Sequence, residues 1–193
     1  MDFTSFPETT TPPSIVTTSN AMARMYSYPE QGSNASFSGR VWPSANLAIY
    51  QPLILPYHYT VRRLVSGSGT LSGTPGHYCI GIYNSAGVLL YSSGSVTLVT
   101  NAAPQIHTMS SPLKLIASQL YFLGYSVDNV ADQIVWSNGV AANQLQVIGI
   151  YEQTSAFPLP STATFSTISN ACLPYIGVSR VSGGGLGGYS WGI

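Results

Sequence analysis

The chain has 193 residues, of which 45% are hydrophobic and 6% charged, and its 6 basic and 6 acidic side chains give a formal net charge of zero. Charged residues make up about a quarter of an ordinary soluble domain, so polarity here rests on neutral groups, chiefly 27 Ser, 16 Thr and 13 Tyr. Disorder driven by charge repulsion is not expected from this composition. A charge-driven nucleic-acid role is not expected either, because the basic stripe that neutralises phosphates is missing.

Neither a membrane span nor a signal peptide is predicted. No apolar run approaches the roughly 20 residues that cross a bilayer, and residues 1–7 lack the basic and apolar regions of a leader. We therefore expect a chain that is made and assembled in a cytoplasm. Cys79 and Cys172 form no CxxC pair and have no nearby His cluster, which predicts two reduced, buried side chains. A disulfide or a reactive thiol is the alternative.

Residues 1–45 are predicted to form an extended anchoring arm. Their prolines, Pro12 and Pro13 among them, favour extended or polyproline II backbone, and nothing in the segment has the periodicity of a core. Only the 20s could form a helical turn. We expect Phe3, Phe6 and the prolines to anchor the arm on a neighbouring subunit; the alternative is that the arm lies along its own domain.

Residues 46–152 are predicted to form a β-rich body. Segments rich in β-branched and aromatic residues, bounded by Gly, Pro, Ser and Asn, indicate short strands. The two-residue period places Tyr78, Ile80 and Ile82 on one face, and Asn84 to Gly87 has the composition of a hairpin loop. Strands are expected at 47–50, 59–65, 77–83, 88–91, 95–99, 104–109, 119–127, 133–137 and 145–151; residues 111–119 could instead be helical. The spacing is typical of an antiparallel β-sandwich or jelly roll.

Residues 153–193 are predicted to form a C-terminal extension. The prolines at 158 and 160 end the last strand of the body, and strands are expected again at 163–168 and 172–178. The glycine-rich end carries Leu186, Tyr189 and Trp191, which a plain flexible linker would not need. We expect these side chains to pack on another surface, with a frayed tail as the alternative.

No catalytic, cofactor-binding or metal-binding residue is predicted. His58, His77 and His107 lie outside the known catalytic motifs, so each is expected to be a hydrogen-bonded residue of a sheet. Asp128 and Asp132 are close enough in sequence to share a site. Oxygen ligands of this kind suit Ca²⁺, but their spacing matches no EF-hand loop and favours a turn with Asx hydrogen bonds.

An ordered set of short motifs runs through residues 42–128. Its members are Trp42-Pro43, Asn46-Leu47-Ala48-Ile49-Tyr50-Gln51-Pro52, Val61-Arg62-Arg63-Leu64, Ser72-Gly73, Gly81-Ile82-Tyr83-Asn84-Ser85-Ala86-Gly87, Ser92-Ser93-Gly94-Ser95 and Leu120-Tyr121-Phe122-Leu123. Together these motifs resemble a β-sandwich module found among small structural proteins of tailed bacteriophages and prophages. The resemblance departs at His77-Tyr78-Cys79, where an acidic residue is common in the module, and in the long arms at both ends.

The resemblance implies a non-enzymatic virion protein and fixes neither head nor tail. A small chain with anchoring arms suits a capsid decoration or head-fibre subunit that binds other virion proteins. A homo-oligomer is expected, and a trimer is plausible because many projections are cyclic. The alternative is a tail or tail-fibre subunit that binds host-surface glycans, since Tyr and Trp stack on sugars as readily as they fill protein interfaces.

Overall fold

A computed structural model describes residues 15–17, 37–99, 104–137 and 141–179. This part of the chain is mostly β-strand, with one short helix. The elements are β1 (Ile15–Thr17), β2 (Phe37–Val41), β3 (Ala48–Ile54), β4 (Tyr59–Gly67), β5 (His77–Asn84), β6 (Leu89–Ser92), β7 (Val96–Thr97), β8 (Pro104–Leu115), β9 (Leu120–Val127), β10 (Gln133–Ser137), α1 (Ala142–Val147), β11 (Tyr151–Gln153), β12 (Ser166–Thr167), β13 (Leu173–Pro174) and β14 (Ile176–Ser179).

The strands form three sheets, and every pairing between them is antiparallel. The largest sheet has the order β12-β11-β3-β9-β5-β6, with β7 also paired to β5. A four-stranded sheet has the order β1-β14-β4-β8, and a three-stranded sheet the order β13-β10-β2. The predicted all-β, antiparallel class is confirmed. The division into arm, body and extension stays a prediction, although β2 and β14, from the two outer segments, pair with strands of the body.

Two clusters of apolar side chains lie on opposite faces of the largest sheet. Tyr78, Ile80 and Ile82 point into the main core, as their period predicts, and Leu64 of the four-stranded sheet joins the same core. The intervening side chains of β5 face a second cluster, which Leu159 helps to cover. Because both faces are covered, the central strands β5 and β9 are buried along almost their whole length.

Close packing in the second cluster depends on Gly124 of β9, where the strand has no side chain. The rings of Tyr50 and Tyr83 meet edge to face, with centroids 5.3 Å apart. A Cβ on Gly124 would lie 2.9 Å from Cε2 of Tyr83 and 3.1 Å from Cε1 of Tyr50. Glycine at position 124 therefore lets both rings lie directly on the sheet.

The predicted hairpin after β5 is confirmed. Oδ1 of Asn84 accepts the N–H groups of Ala86 at 3.0 Å and Val88 at 2.9 Å, which is the local bonding that makes Asn a turn former. Gly87 has φ of +78°, a conformation that favours glycine. The chain then returns as β6.

The strand predicted at 145–151 is wrong. Residues Ala142–Val147 form α1, and only Tyr151–Gln153 is a strand. The side chain of Gln144 accepts the N–H of Ala141 at the start of the helix, and Leu145 is buried in the core. Gly149, at φ of +77°, ends the helical turn. Tertiary packing of Leu145 thus outweighs the strand propensity of the neighbouring β-branched residues.

The helix that the sequence allowed at 111–119 does not form, because β8 continues as a strand to Leu115. Pro112 is tolerated there since β8 lies at the edge of its sheet and its pairing with β4 is irregular between Val61 and Arg63, a setting in which proline loses no ladder bond. The strand predicted at 133–137 has the predicted ends, and the other predicted strands of the body are present with shifted ends. The helical turn that the sequence allowed in the 20s lies outside the described residues.

Candidate functional site

A polar loop cluster, made of His77, Asp128, Asn129 and Asp132, lies where the loop before β5 meets the loop after β9. The two strands are neighbours, with Tyr78 directly opposite Val127, so the next residues outward face each other. Oδ2 of Asp128 lies 2.7 Å from Nδ1 of His77, and Oδ1 accepts the backbone N–H of His77 at 2.9 Å. The cluster therefore joins the ends of the two central strands.

Asp132 is the buried member of the polar loop cluster. Its carboxylate accepts the backbone N–H groups of Ser72 and Gly76, each at 2.6 Å. Burial alone would raise the pKa of Asp132, but these bonds and one from Asn129 more than offset it, and the pKa is lowered. A carboxylate with this set of donors holds the loop before β5 in place.

Asn129 completes the cluster with the turn that the sequence favours. Its Oδ1 accepts the N–H groups of Ala131 at 2.9 Å and Asp132 at 3.3 Å, which confirms the predicted Asx hydrogen bonds. Within the described residues, no group of three or more His, Cys, Asp or Glu side chains is arranged to hold a metal ion.

A second buried carboxylate, Glu152 on β11, was not singled out by the sequence. It is 9% exposed and accepts the hydroxyl of Ser169 at 2.7 Å and Nδ2 of Asn170 at 2.8 Å. Burial alone would raise the pKa of Glu152, yet the hydrogen bonds from the 169–170 turn lower it. The sequence gives little indication of this site, because the hydrogen-bond donors to Glu152 lie 17 and 18 residues further along the chain.

Both cysteines are free and buried, as predicted. Burial raises the pKa of Cys172 well above its ordinary value, and the negative charge of Glu152 adds to the effect. Such a thiol is a poor nucleophile, because the thiolate is the reactive form. Cys79 lies in the second cluster, where its Sγ is 3.2 Å from Oγ of Ser92.

Each histidine is hydrogen-bonded at a strand or a strand end, as predicted. Nδ1 of His58 accepts the N–H of Ala117 at 3.1 Å, and His77 belongs to the polar loop cluster. Nε2 of His107 lies 3.1 Å from the hydroxyl of Tyr91, a contact that links β6 of the largest sheet to β8 of the four-stranded sheet. Desolvation by burial lowers the pKa of His107, which favours a neutral ring at this contact.

The aromatic side chains of the described residues point inward. All of the described Tyr and Trp side chains are buried or half-buried. Trp42 donates from Nε1 to the carbonyl of Leu47 at 2.9 Å and packs against Tyr125. Trp136 is half-buried beneath the guanidinium of Arg40, whose Cζ is 5.8 Å from the ring centroid. These rings stabilise the fold, and none of them forms an exposed platform on the part of the surface that is described.

The residues predicted to make assembly contacts lie outside the described part of the chain. They are Phe3, Phe6, Pro12, Pro13, Leu186, Tyr189 and Trp191. The structure does place one piece of the predicted arm, because β1 pairs antiparallel with β14. Val16 lies opposite Val178 in this pairing, and β14 pairs on its other side with β4. The arm thus contributes the edge strand of the four-stranded sheet.

The opposite edge of the same sheet is β8, the longest strand described, with 12 residues. Its exposed side chains are almost all neutral, with Ile106 42% exposed and Lys114 as the charged exception. Edge strands of this length are usually protected by charge, proline or a bulge. Here Pro112, Lys114 and the irregular pairing protect the second half of β8, and the hydroxyl of Tyr91 accepts the N–H of Ser110 at its middle.

No protein-family model matches the chain, and a search of curated proteins finds no match to its sequence. Within residues 15–17, 37–99, 104–137 and 141–179, no helix combines the length and the hydropathy that crossing a bilayer requires.

Proposed function

We propose that the chain is a non-enzymatic structural subunit of a bacteriophage particle, assembled in the host cytoplasm. It is a capsid decoration or head-fibre protein that binds neighbouring virion proteins through its terminal arms and forms a homo-oligomer, with a trimer as one form. Its body is a β-sandwich of jelly-roll type, a proposal supported by the core that the largest sheet and the four-stranded sheet share.

The observation that carries this proposal is the position of β1. A short piece of the N-terminal arm adds an edge strand to a sheet through backbone pairing. Addition of an extended strand to an exposed edge is a general way for one protein segment to bind another. Such binding is made by backbone groups, so it does not depend on charged side chains in the arm.

The described polar groups support a structural role as well. Asp132 and Glu152 bind neutral donors that fix loops, and His107 joins two sheets through Tyr91. Each of these groups is engaged in holding the fold together. A hydrolytic site would instead need a base aimed at a nucleophile, or two carboxylates flanking a bond.

The alternative, a tail or tail-fibre subunit that binds host glycans, has less support. Sugar binding by stacking needs exposed aromatic faces, whereas the described Tyr and Trp side chains are buried or half-buried. A glycan site built on Tyr or Trp would then have to use Tyr26, Tyr28, Tyr189 or Trp191, which lie outside the described residues.

The test is a truncation that removes residues 1–36 and ends before β2, because β2 pairs with β10 over five residues. We expect the full chain to co-purify with phage particles and to be oligomeric by light scattering. The truncated chain should keep its far-UV circular dichroism, lose its oligomeric state and stay off the particle. A full-length chain with Val147→Ala, at an 81% exposed side chain of α1, serves as the control for a surface change. A folded truncated chain that is incorporated as well as the full chain would refute the proposal.

A further inference from the structure

We propose that residues 1–14 dock on the outer face of the four-stranded sheet of their own chain, where their two acidic side chains pair with a basic face. The basic face consists of Arg62 and Arg63 on β4 and Lys114 on β8. This inference goes beyond the proposed function, because it gives the start of the arm a position on the free subunit, before any neighbour is bound.

The three basic side chains share the side of the sheet that faces away from the core. Val61 and Leu64 belong to the main core, and neighbouring residues of a strand point to opposite faces. Arg62 and Arg63 therefore both point outward, which the irregular pairing of β4 with β8 at this point permits. Lys114 lies between two core-facing residues of β8 and is exposed.

The members of the basic face are close together. Lys114 lies opposite Thr60, two residues before Arg62 on the same strand, so Lys114 and Arg62 are diagonal neighbours. Diagonal neighbours on one face of an antiparallel pair are about 7–8 Å apart. Arg63 is the next residue along β4, and one acidic segment can therefore contact all three side chains.

The basic face has no acidic partner among the described residues. Asp128, Asp132 and Glu152 bind the donors described above, and the ion pair found in this part of the chain is that of Asp128 with His77. Nε of Arg63 is buried and has no hydrogen-bond partner within the described part of the chain. A buried donor favours an acceptor from elsewhere, and a carboxylate binds arginine through two N–H groups at once.

The charges of the segments outside the described residues favour residues 1–14 as the occupant. This segment carries Asp2 and Glu8 and no basic side chain. Residues 18–36 carry one acidic and one basic side chain, and residues 180–193 carry one basic side chain and no acidic one. Complementary charge therefore selects residues 1–14 over the other two long segments.

The position of β1 brings residues 1–14 to the basic face. Ile15 is opposite Ser179, which is opposite Arg63, so the chain enters β1 in the same row of the sheet as Arg63. With neighbouring strands about 4.8 Å apart, β4 lies about 10 Å from β1, and β8 about 14 Å. The stretch from Glu8 to Ile15 spans up to about 24 Å, so Glu8 can reach each member of the basic face.

Carbodiimide coupling tests the contact, because it joins a carboxylate to an amine that touches it. Lys114 is the single lysine of the chain, so the coupled amine is known. In the full-length protein we expect amides from Lys114 to Glu8 or Asp2, identified by peptide mass spectrometry. High salt should reduce their yield several-fold, because it screens charges at the surface.

A moved lysine provides the matched control. Lys114→Arg removes the native amine and keeps its charge. In that background, Arg62→Lys places the amine on the basic face, and Val147→Lys places it on α1, at a side chain that is 81% exposed. With both variants folded by circular dichroism, we expect coupling to Glu8 or Asp2 to be at least several-fold greater from position 62 than from position 147.

A co-expressed pair of chains measures coupling between copies. One chain carries Lys114→Arg and keeps its acidic side chains, and the other carries Asp2→Asn/Glu8→Gln and keeps its lysine, so an amide can form only between chains. We expect none. Efficient coupling in this pair would place the arm on another copy and overturn the proposal. Coupling from positions 62 and 114 no greater than from position 147 would overturn it as well. Either result leaves the proposed function to its own test, the binding of the truncated chain to particles.

Discussion

Substitution of Gly124 by alanine tests whether the second cluster of the fold is packed as tightly as the structure shows. The new Cβ would be 2.9 Å from Cε2 of Tyr83 and 3.1 Å from Cε1 of Tyr50. Neither ring can easily move away. The hydroxyl of Tyr50 donates to Gln153 at 2.9 Å, and that of Tyr83 donates to the carbonyl of Pro160 at 2.8 Å.

The expected cost follows from two opposing terms. Forcing a methyl group into a well-packed core costs about 1–3 kcal/mol, while replacing glycine in a strand recovers about 0.5–1 kcal/mol. A contact of 2.9 Å forces a ring to shift, so the upper half of the packing cost applies, about 2–3 kcal/mol. We therefore expect Gly124→Ala to lower the free energy of unfolding by about 1–2.5 kcal/mol. For a domain of this size, that corresponds to a fall in melting temperature of about 2–10 °C.

Thermal and urea denaturation followed by circular dichroism measures this change. Gly73→Ala is the matched control, because nothing lies within 4 Å of a Cβ built there. That variant should be as stable as the unsubstituted chain or slightly more stable. If Gly124→Ala unfolds at the same temperature as Gly73→Ala, the rings of Tyr50 and Tyr83 do not rest on Gly124, and the reasoning is wrong.

Two further predictions follow from the buried titratable groups. The pKa values of Asp132 and Glu152 are lowered in the fold, so in acid the unfolded chain binds more protons than the folded chain. The two carboxylates therefore stabilise the fold at a pH above their ordinary pKa of about 4. This stabilisation is lost as the pH falls through their lower pKa values in the folded chain. Urea midpoints measured between pH 2 and pH 7 should therefore change less with pH in Asp132→Asn/Glu152→Gln than in the unsubstituted chain, and an unchanged slope would contradict this. Both cysteines are buried, so a thiol reagent should label neither in the native protein and both in urea; rapid native labelling of Cys172 would show that its site opens readily.

Local chemistry explains what the sequence could predict. The hairpin at Asn84 and the Asx turn at Asn129 each depend on hydrogen bonds between residues two to four apart. The inward face of β5 depends on a two-residue period within one strand. In each case the cause lies within a few consecutive residues, so the pattern is enough to predict the structure.

Long-range contacts explain what could not be predicted. Glu152 obtains its donors from Ser169 and Asn170, and nothing in its own strand indicates this. The pairing of β14 with β4 joins segments more than 100 residues apart. The helix α1 forms in place of a predicted strand because tertiary packing buries Leu145 in the core. The local pattern of residue types does not indicate any of these contacts between distant segments.

The position of β14 changes how the two predicted arms are understood. Composition predicts two extensions, one at each end of the body, whereas β14, from the C-terminal extension, lies between β4 of the body and β1 of the N-terminal arm. The two predicted extensions therefore meet in one sheet of the same chain. Removal of residues 1–36 would take β1 from β14 and leave the backbone groups of that strand unpaired at a sheet edge, which is a site where another chain can add a strand.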